Sequence, residues 1–302
     1  MTAVLEFEDI ARSYKRGSPV LNGVSFSVGE GEVVGLLGRN GSGKTTLIRI
    51  AMGLLFPHEG SVRAFGISPT KDPVAVKLRV GYVAEEQVLP GGASIAELIA
   101  FHRYLFPSWD APLERQLLDR FGLPAAGKIK HLSKGEARQA ALLLAVCHRP
   151  ELLILDEPAG GLDAAARREF LETSIMLLNR EGTSILFSSH YMADVERIGG
   201  RAVLLDDGKV RLDRDLIDLR ERVCLAMVPQ ASAPDATRIE RTPGCMRVHA
   251  VSDQWHAVFE GAPDQVQRQL AGSLAANGIR CIPLSLEELF IELLGGKKQE
   301  RL

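Results

Sequence analysis

Apolar positions along this chain follow two patterns. The first is the short unbroken run: Glu32 to Leu37, Glu151 to Leu155 and Ser184 to Ser188. Runs of this length, bounded by turn residues, predict strands buried on both faces, as in a parallel sheet. The second repeats at helical spacing. Ser94 to Phe106 predicts a helix with Ser94 as N-cap and Glu97 three residues on, a capping box, and Pro107 ends it. Leu113 to Phe121, Gly135 to Cys147 and Ala164 to Leu178 predict three more helices. Short strands are expected at Val4 to Phe7 and Val24 to Val28, with a turn-rich segment around Gly17-Ser18-Pro19 between them, and at Gly60 to Phe65 and Val80 to Val83. Ala202 to Leu205 and Lys209 to Leu212 flank Asp206-Asp207-Gly208, which predicts a hairpin.

After Leu219 the pattern changes. Turn residues cluster at 229–235 and at Thr242-Pro243-Gly244. Short strands are suggested at Cys224 to Val228, Arg247 to Val251, Trp255 to Phe259 and Ile279 to Pro283. Helices are suggested at Asp264 to Ala276 and Leu286 to Leu294. The expectation is an α/β domain over residues 1–219, followed by a small accessory α+β module over 220–302.

Composition narrows the function. The formal net charge of −2 gives no sign of a large nucleic-acid footprint. The longest apolar runs, such as Ala140 to Val146, fall far short of the ~18 residues that span a bilayer. Met1 to Ile10 alternates and carries three acidic residues, unlike a signal peptide. The four cysteines form no C-x-x-C pair, which suggests reduced thiols in a cytoplasmic setting.

The chemistry begins at Gly38-Arg39-Asn40-Gly41-Ser42-Gly43-Lys44-Thr45-Thr46. This stretch fits the phosphate-loop pattern G-x-x-x-x-G-K-[ST], with a buried strand predicted before it and a helix after it. Glycines let the backbone N–H groups turn inward around phosphate, and the helix N-terminus faces the same anion. Lys44 would reach the β and γ oxygens, and the Thr45 hydroxyl would hold Mg²⁺. Leu152 to Leu155 runs into Asp156-Glu157, which places two acids at a strand's carboxyl end. Asp156 would hold Mg²⁺ there, and Glu157 could polarise an attacking water.

Three further segments make the pattern particular. Leu132-Ser133-Lys134-Gly135-Glu136 precedes a helix, and Glu136 lies 21 residues before Glu157. Ala159-Gly160-Gly161-Leu162-Asp163 follows the acids, and Ser188-Ser189-His190 ends the next strand. With these motifs in this order, residues 1–215 resemble the ATP-binding subunits of ABC transporters. The resemblance implies a RecA-like P-loop NTPase core with an antiparallel β subdomain and an α-helical signature subdomain. Leu132 to Glu136 stands at the signature, Gly161-Leu162-Asp163 at the D-loop and His190 at the switch histidine. Tyr14 stands at the aromatic that stacks on adenine.

The resemblance further implies two such subunits, a homodimer, facing head to tail around two ATP. Ser133 and the Gly135 backbone N–H would then touch the γ-phosphate across the interface, and His190 would orient water. It also implies a separate membrane-spanning permease and a peripheral position on the cytoplasmic face of the membrane. There are departures. Glu85 stands where the family has the Q-loop glutamine, yet a carboxylate can still accept from metal-bound water. Lys134 and Glu136 replace the commoner glycine and glutamine. The closing segment Pro283 to Leu293 is similar to the tail of exporter subunits of drug-resistance and polysaccharide or lipid efflux type. The alternative, a soluble ABC-type ATPase acting on nucleic acid or ribosomes, predicts a coiled coil, a second phosphate loop or a basic arm. None of these is in the sequence, nor is the Asn-Lys-x-Asp motif of a GTPase. Leu89, Phe101, Tyr104, Leu105, Phe106 and Trp109 crowd one short span and suggest a groove for a helix of the permease.

Overall fold

The computed structural model describes residues 2–15, 17–85, 89–160, 162, 164–171, 182–233, 235–274 and 278–294. They form two compact units, Met1–Asp213 and Arg214–Leu302.

In the first unit the chain runs β1 (Ala3–Lys15), β2 (Ser18–Gly29), β3 (Val33–Leu37), α1 (Lys44–Ala51), β4 (Glu59–Ala64), α2 (Pro73–Lys77) and β5 (Val80–Val83). It continues through α3 (Ile95–Leu105), α4 (Ala111–Phe121), α5 (Lys134–Val146), β6 (Leu152–Leu155) and α6 (Ala164–Leu171). Then come β7 (Ser184–Ser189), α7 (Met192–Ile198), β8 (Arg201–Asp206) and β9 (Lys209–Asp215). Six strands make the central sheet, in the order β5-β6-β7-β3-β8-β9. The predicted apolar runs form its middle: every residue of β6 and β7 is buried. β3 lies parallel between β7 and β8, with Leu37 beside Ser189 and Leu204. The carboxyl ends of β3, β6 and β7 therefore sit side by side, as the switch-point rule for ligand sites requires.

A second sheet, in the order β2-β1-β4, is antiparallel. Its strands are longer than the alternation at Val4 to Phe7 and Val24 to Val28 suggests. The pairing shifts register between Phe7 and Ile10, where Asp9 has φ 48°. That bulge re-phases the buried positions from Leu5 and Phe7 to Ile10 and hides the rest of the strand from a period-2 reading. Gly60 faces the bulge. A Cβ there would lie 2.2 Å from the Glu8 carbonyl oxygen, so only glycine fits.

α3 starts where its Ser94 cap predicts, and α4 starts at a cap the sequence reading did not name. Ser94 accepts from the Glu97 N–H while Glu97 accepts from the Ser94 N–H. Asp110 caps α4 through the Leu113 N–H, and Gly122 closes it at φ 61°. The short helices α2 and α7 escape the sequence reading because five and seven residues show too little periodicity. Residues 172–178 of the helix expected from Ala164 lie outside the described residues. No described helix is long and apolar enough to cross a membrane.

The second unit comprises α8 (Leu216–Arg222), β10 (Val223–Pro229), α9 (Thr237–Glu240), β11 (Cys245–Val251), β12 (Gln254–Glu260), α10 (Pro263–Leu274), β13 (Arg280–Pro283) and α11 (Leu286–Leu294). β10 to β13 form an antiparallel sheet in the order β11-β12-β10-β13. Val266, Leu270 and Leu274 of α10 pack with Ala226, Val228, Ala257 and Phe259 in one buried cluster.

Candidate functional site

The phosphate loop turns on glycines that nothing larger can replace. A Cβ on Gly38 would lie 2.4 Å from both the Leu205 carbonyl oxygen and Ser42 Oγ. Gly41 has φ 83°, and Gly43, the N-cap of α1, has φ 109°. Lys44 follows directly and is only 5% exposed. Its Nζ donates to the Gly38 carbonyl at 2.7 Å and the Arg39 carbonyl at 3.3 Å. The same ammonium lies 3.1 Å from Glu157 Oε1.

The two acids at the end of β6 are tied into the neighbouring strand end. Ser188 Oγ donates to Asp156 Oδ1 at 2.7 Å and accepts the Glu157 N–H at 2.7 Å. Thr45 Oγ1 donates to the same Asp156 oxygen at 3.3 Å. Glu157 has φ 45°, a left-handed conformation that turns it out of the strand direction. Its Oε2 meets His190 Nδ1 at 2.8 Å. So Glu157 bridges Lys44 and His190, and the Asp156 carboxylate joins α1 to β7.

Burial pushes the Asp156 carboxyl above its ordinary range, and the nearby Glu157 charge adds to this. The hydrogen bonds from Ser188 and Thr45, and the Lys44 charge, oppose it. Asp156 Oδ2 is buried with no hydrogen-bond partner among the described residues. A buried, orphaned carboxylate oxygen beside a threonine hydroxyl suits a hard, oxygen-seeking cation, and Mg²⁺ fits this donor set.

A cleft of about 340 Å³ opens over these groups, lined by Tyr14, Asn40, Lys44, Thr45, Glu85 and Glu157 among others. Tyr14 is half exposed, and its hydroxyl lies 3.3 Å from Thr46 Oγ1. Ser42 is buried beneath the loop. A larger cleft of about 720 Å³ opens near the amino ends of the strands, lined by Arg79, Glu151 and Ser184. It is crossed by the Arg79–Glu151 ion pair and contains none of the phosphate-loop residues.

Not every sequence candidate converges on the cleft. Ser133 and Gly135 do not line it. Ser133 is exposed at the start of α5, where its Oγ caps the Glu136 N–H at 3.2 Å. Gly161 and Asp163 lie outside the described residues. Two residues the sequence does not single out connect the site. Ser188 joins the two acids. Arg138, one turn into α5, donates to the carbonyls of both Gly160 and Glu85, and so ties the signature helix to the D-loop and Q-loop segments. Its only sequence signal is a cation on the signature helix, five residues after Ser133.

The ABC transporter family pattern matches residues 21–160, which hold the phosphate loop and both acids. The ABC transporter ATP-binding protein YtrB of Bacillus subtilis is 31% identical over 287 residues, covering 94% of this chain and 96% of that protein. The chain belongs to the ATP-binding subunits of ABC transporters. The Nod factor export ATP-binding protein I of Rhizobium meliloti is 31% identical, over 97% of this ABC subunit and 89% of its own length. Among solved structures, an ATP-binding subunit of an ABC transporter superposes with a TM-score of 0.65 at 31% identity, covering 72% of this chain and 92% of that one. The fold of the first unit is that of the family, a P-loop NTPase α/β core with an antiparallel sheet and a helical subdomain.

Proposed function

We propose that this ABC subunit hydrolyses Mg·ATP to drive a separate membrane-spanning permease, and that the pair exports its cargo. The observation that carries the reading is a cleft at the carboxyl ends of β3, β6 and β7 lined by Lys44, Thr45 and Glu157, with Asp156 bonded to Thr45 and His190 to Glu157 behind it. Lys44 holds the β and γ oxygens of ATP while loop N–H groups around Asn40 to Thr46 cradle them. Tyr14 stacks on the adenine. Thr45 and Asp156, with Glu85 beside them in the cleft, would hold Mg²⁺, which would supply positive charge against the phosphates. Lys44 Nζ lies 3.1 Å from Glu157 Oε1. Phosphate competes for Lys44, and the released Glu157 can accept a proton from the attacking water, with His190 holding the carboxylate and the γ-phosphate in line.

Ser133 is exposed and Gly135 half-buried, and both lie outside the cleft, which fits a second role. In a head-to-tail homodimer they would contact the γ-phosphate of the ATP held by the partner subunit. The permease partner is supported by the exposed Phe101, Tyr104 and Leu105 on α3. Phe106 and Trp109, from the same apolar span, turn inward instead: Phe106 stacks on His148, and the Trp109 indole N–H donates to Glu114. Export follows the names of two relatives, the Nod factor export protein and, at 33% identity over 68% of this chain, the linearmycin resistance protein LnrL of Bacillus subtilis. The subunit would then sit peripherally at the cytoplasmic face of the membrane, beside its permease.

Glu157→Gln tests the assignment. ATP binding should persist while phosphate release falls about 10²–10⁴-fold, the usual value of a general base. Lys44→Ala should instead lose nucleotide binding. Wild-type-like turnover in Glu157→Gln would remove Glu157 from the reaction.

A further inference from the structure

The second unit carries its own cluster of ligand-type side chains. His249 on β11 and His256 on β12 are direct cross-strand partners. In an antiparallel pair such partners leave the same face of the sheet. Their neighbours Ala257 and Phe259 alternate into the cluster packed against α10, so His256 points to the opposite face. On α11, Leu289 is 1% exposed, and Glu292 lies three residues on, on the same helical face. Glu292 is therefore directed inward, with 16% of its side chain exposed, between the two imidazoles. Its Oε2 is 3.2 Å from His249 Nε2, and its Oε1 is 3.3 Å from His256 Nδ1.

We propose that His249, His256 and Glu292 form a binding site for a divalent transition-metal ion of the Zn²⁺ class. Two imidazole nitrogens and one carboxylate oxygen suit such an ion, with water completing the shell. The spacing suits it as well. A tetrahedral ion with bonds of about 2.0–2.1 Å holds neighbouring donors about 3.3 Å apart. Each histidine nitrogen lies about one such edge from a different oxygen of Glu292, and one donor atom from each of the three residues lies within 4.8 Å of the others. A hydrogen-bonded triad accounts for only half of the arrangement. His256 and Glu292 Oε1 have hydrogen-bond geometry. Glu292 Oε2 does not, despite its proximity to His249, and is buried with no hydrogen-bond partner among the described residues. A cation between these donors supplies the charge this oxygen lacks. The ligands come from β11, β12 and α11, so the ion would fasten the closing helix to the sheet. This inference is independent of the nucleotide reading.

The test uses the full-length protein stripped of metal with chelator and titrated with Co²⁺. One ion per chain should bind, with the visible d–d bands of a nitrogen and oxygen site and no thiolate charge-transfer band. Zn²⁺ should displace it. Asp156→Asn, which removes the Mg²⁺ ligand in the first unit, should leave these bands unchanged. His249→Ala, His256→Ala and Glu292→Gln should each weaken Co²⁺ binding at least 100-fold. Glu292→Gln is nearly isosteric, so it keeps the test valid if a histidine variant unfolds, and far-UV circular dichroism should show it folded without metal. No stoichiometric uptake, a thiolate band, or uptake unchanged in folded Glu292→Gln would overturn the site.

Discussion

Ser94 and Ser133 begin two helices with the same hydrogen bonds. In each, the serine N–H donates to the glutamate three residues on at 2.7 Å, and that glutamate's N–H returns a bond to the serine Oγ at 3.2 Å. Locally the two helix starts share this capping box, with one added bond at the first, where Ser94 Oγ also donates to Glu97 Oε2 at 2.9 Å. What differs is the surroundings. Behind Ser94 the helix carries the exposed Phe101 and Tyr104. Behind Ser133 it carries Gly135, with Leu162 3.6 Å from where a Cβ would stand, and Arg138 with its grip on Gly160 and Glu85. A capping box therefore specifies where a helix starts and says nothing about what the serine is for.

The widest separation between the two serines should come from Ser133→Arg against Ser94→Arg. If Ser133 reaches a phosphate on a second subunit, its loss should lower steady-state phosphate release about 10²–10³-fold, the usual cost of one preorganised donor. Ser94→Arg should leave turnover near wild type. Equal losses would make both serines simple caps.

Arg138→Met comes next. Hydrogen bonds from a charged donor contribute about 1.5–3 kcal/mol each, discounted here because the guanidinium is only partly buried. Turnover should fall about tenfold, or ~1.4 kcal/mol, through kcat and not KM. A pure KM effect would mean that Arg138 shapes binding and not the alignment of the loops.

Smaller still are Ser94→Ala and Ser133→Ala, each expected to cost about 1 kcal/mol in urea unfolding. Their stability losses should match, while only Ser133→Ala slows turnover.

The smallest effect is in pH dependence, and its sign differs between the caps and Asp156, the carboxylate assigned to Mg²⁺. Hydrogen bonds from the serines hold Glu97 and Glu136 below the ordinary carboxylate value of 4.5. Their contribution is present above that value and lost as pH falls through the folded pKa. Asp156 runs the other way. Its pKa is raised, so the folded protein binds that proton more tightly than the unfolded chain, and ionisation costs stability as pH rises through the folded pKa. Mg²⁺ needs the ionised form, so Mg·ATP affinity, measured by titration calorimetry at stepped pH, should fall on mild acidification. An affinity that rises on acidification would contradict the assignment of Asp156.

Much of the first unit can be read without a structure. Apolar runs announce β3, β6 and β7 because a strand covered on both faces must be apolar throughout. Gly38, Gly41 and Gly43 announce the loop because Gly38 and Gly43 leave no room for a Cβ and Gly41 takes a positive φ that side chains disfavour. The long β1–β2 hairpin is not legible, since the bulge at Asp9 breaks the period on which the reading depends. In the second unit the strands of the sheet are legible, yet the His249–His256–Glu292 cluster is not. Its members are separated by 6 and 35 residues and form no motif.

By itself the sequence determined the phosphate loop, the paired acids, the Ser94 cap and the family, because each rests on neighbouring residues whose backbone geometry is set locally. Only the tertiary structure decided that Glu157 is shared between Lys44 and His190, that Ser188 joins the acids, and that Arg138 links three segments. Those contacts join side chains from separate strands and helices. Their distances depend on how the sheet orders its strands, which no local pattern encodes.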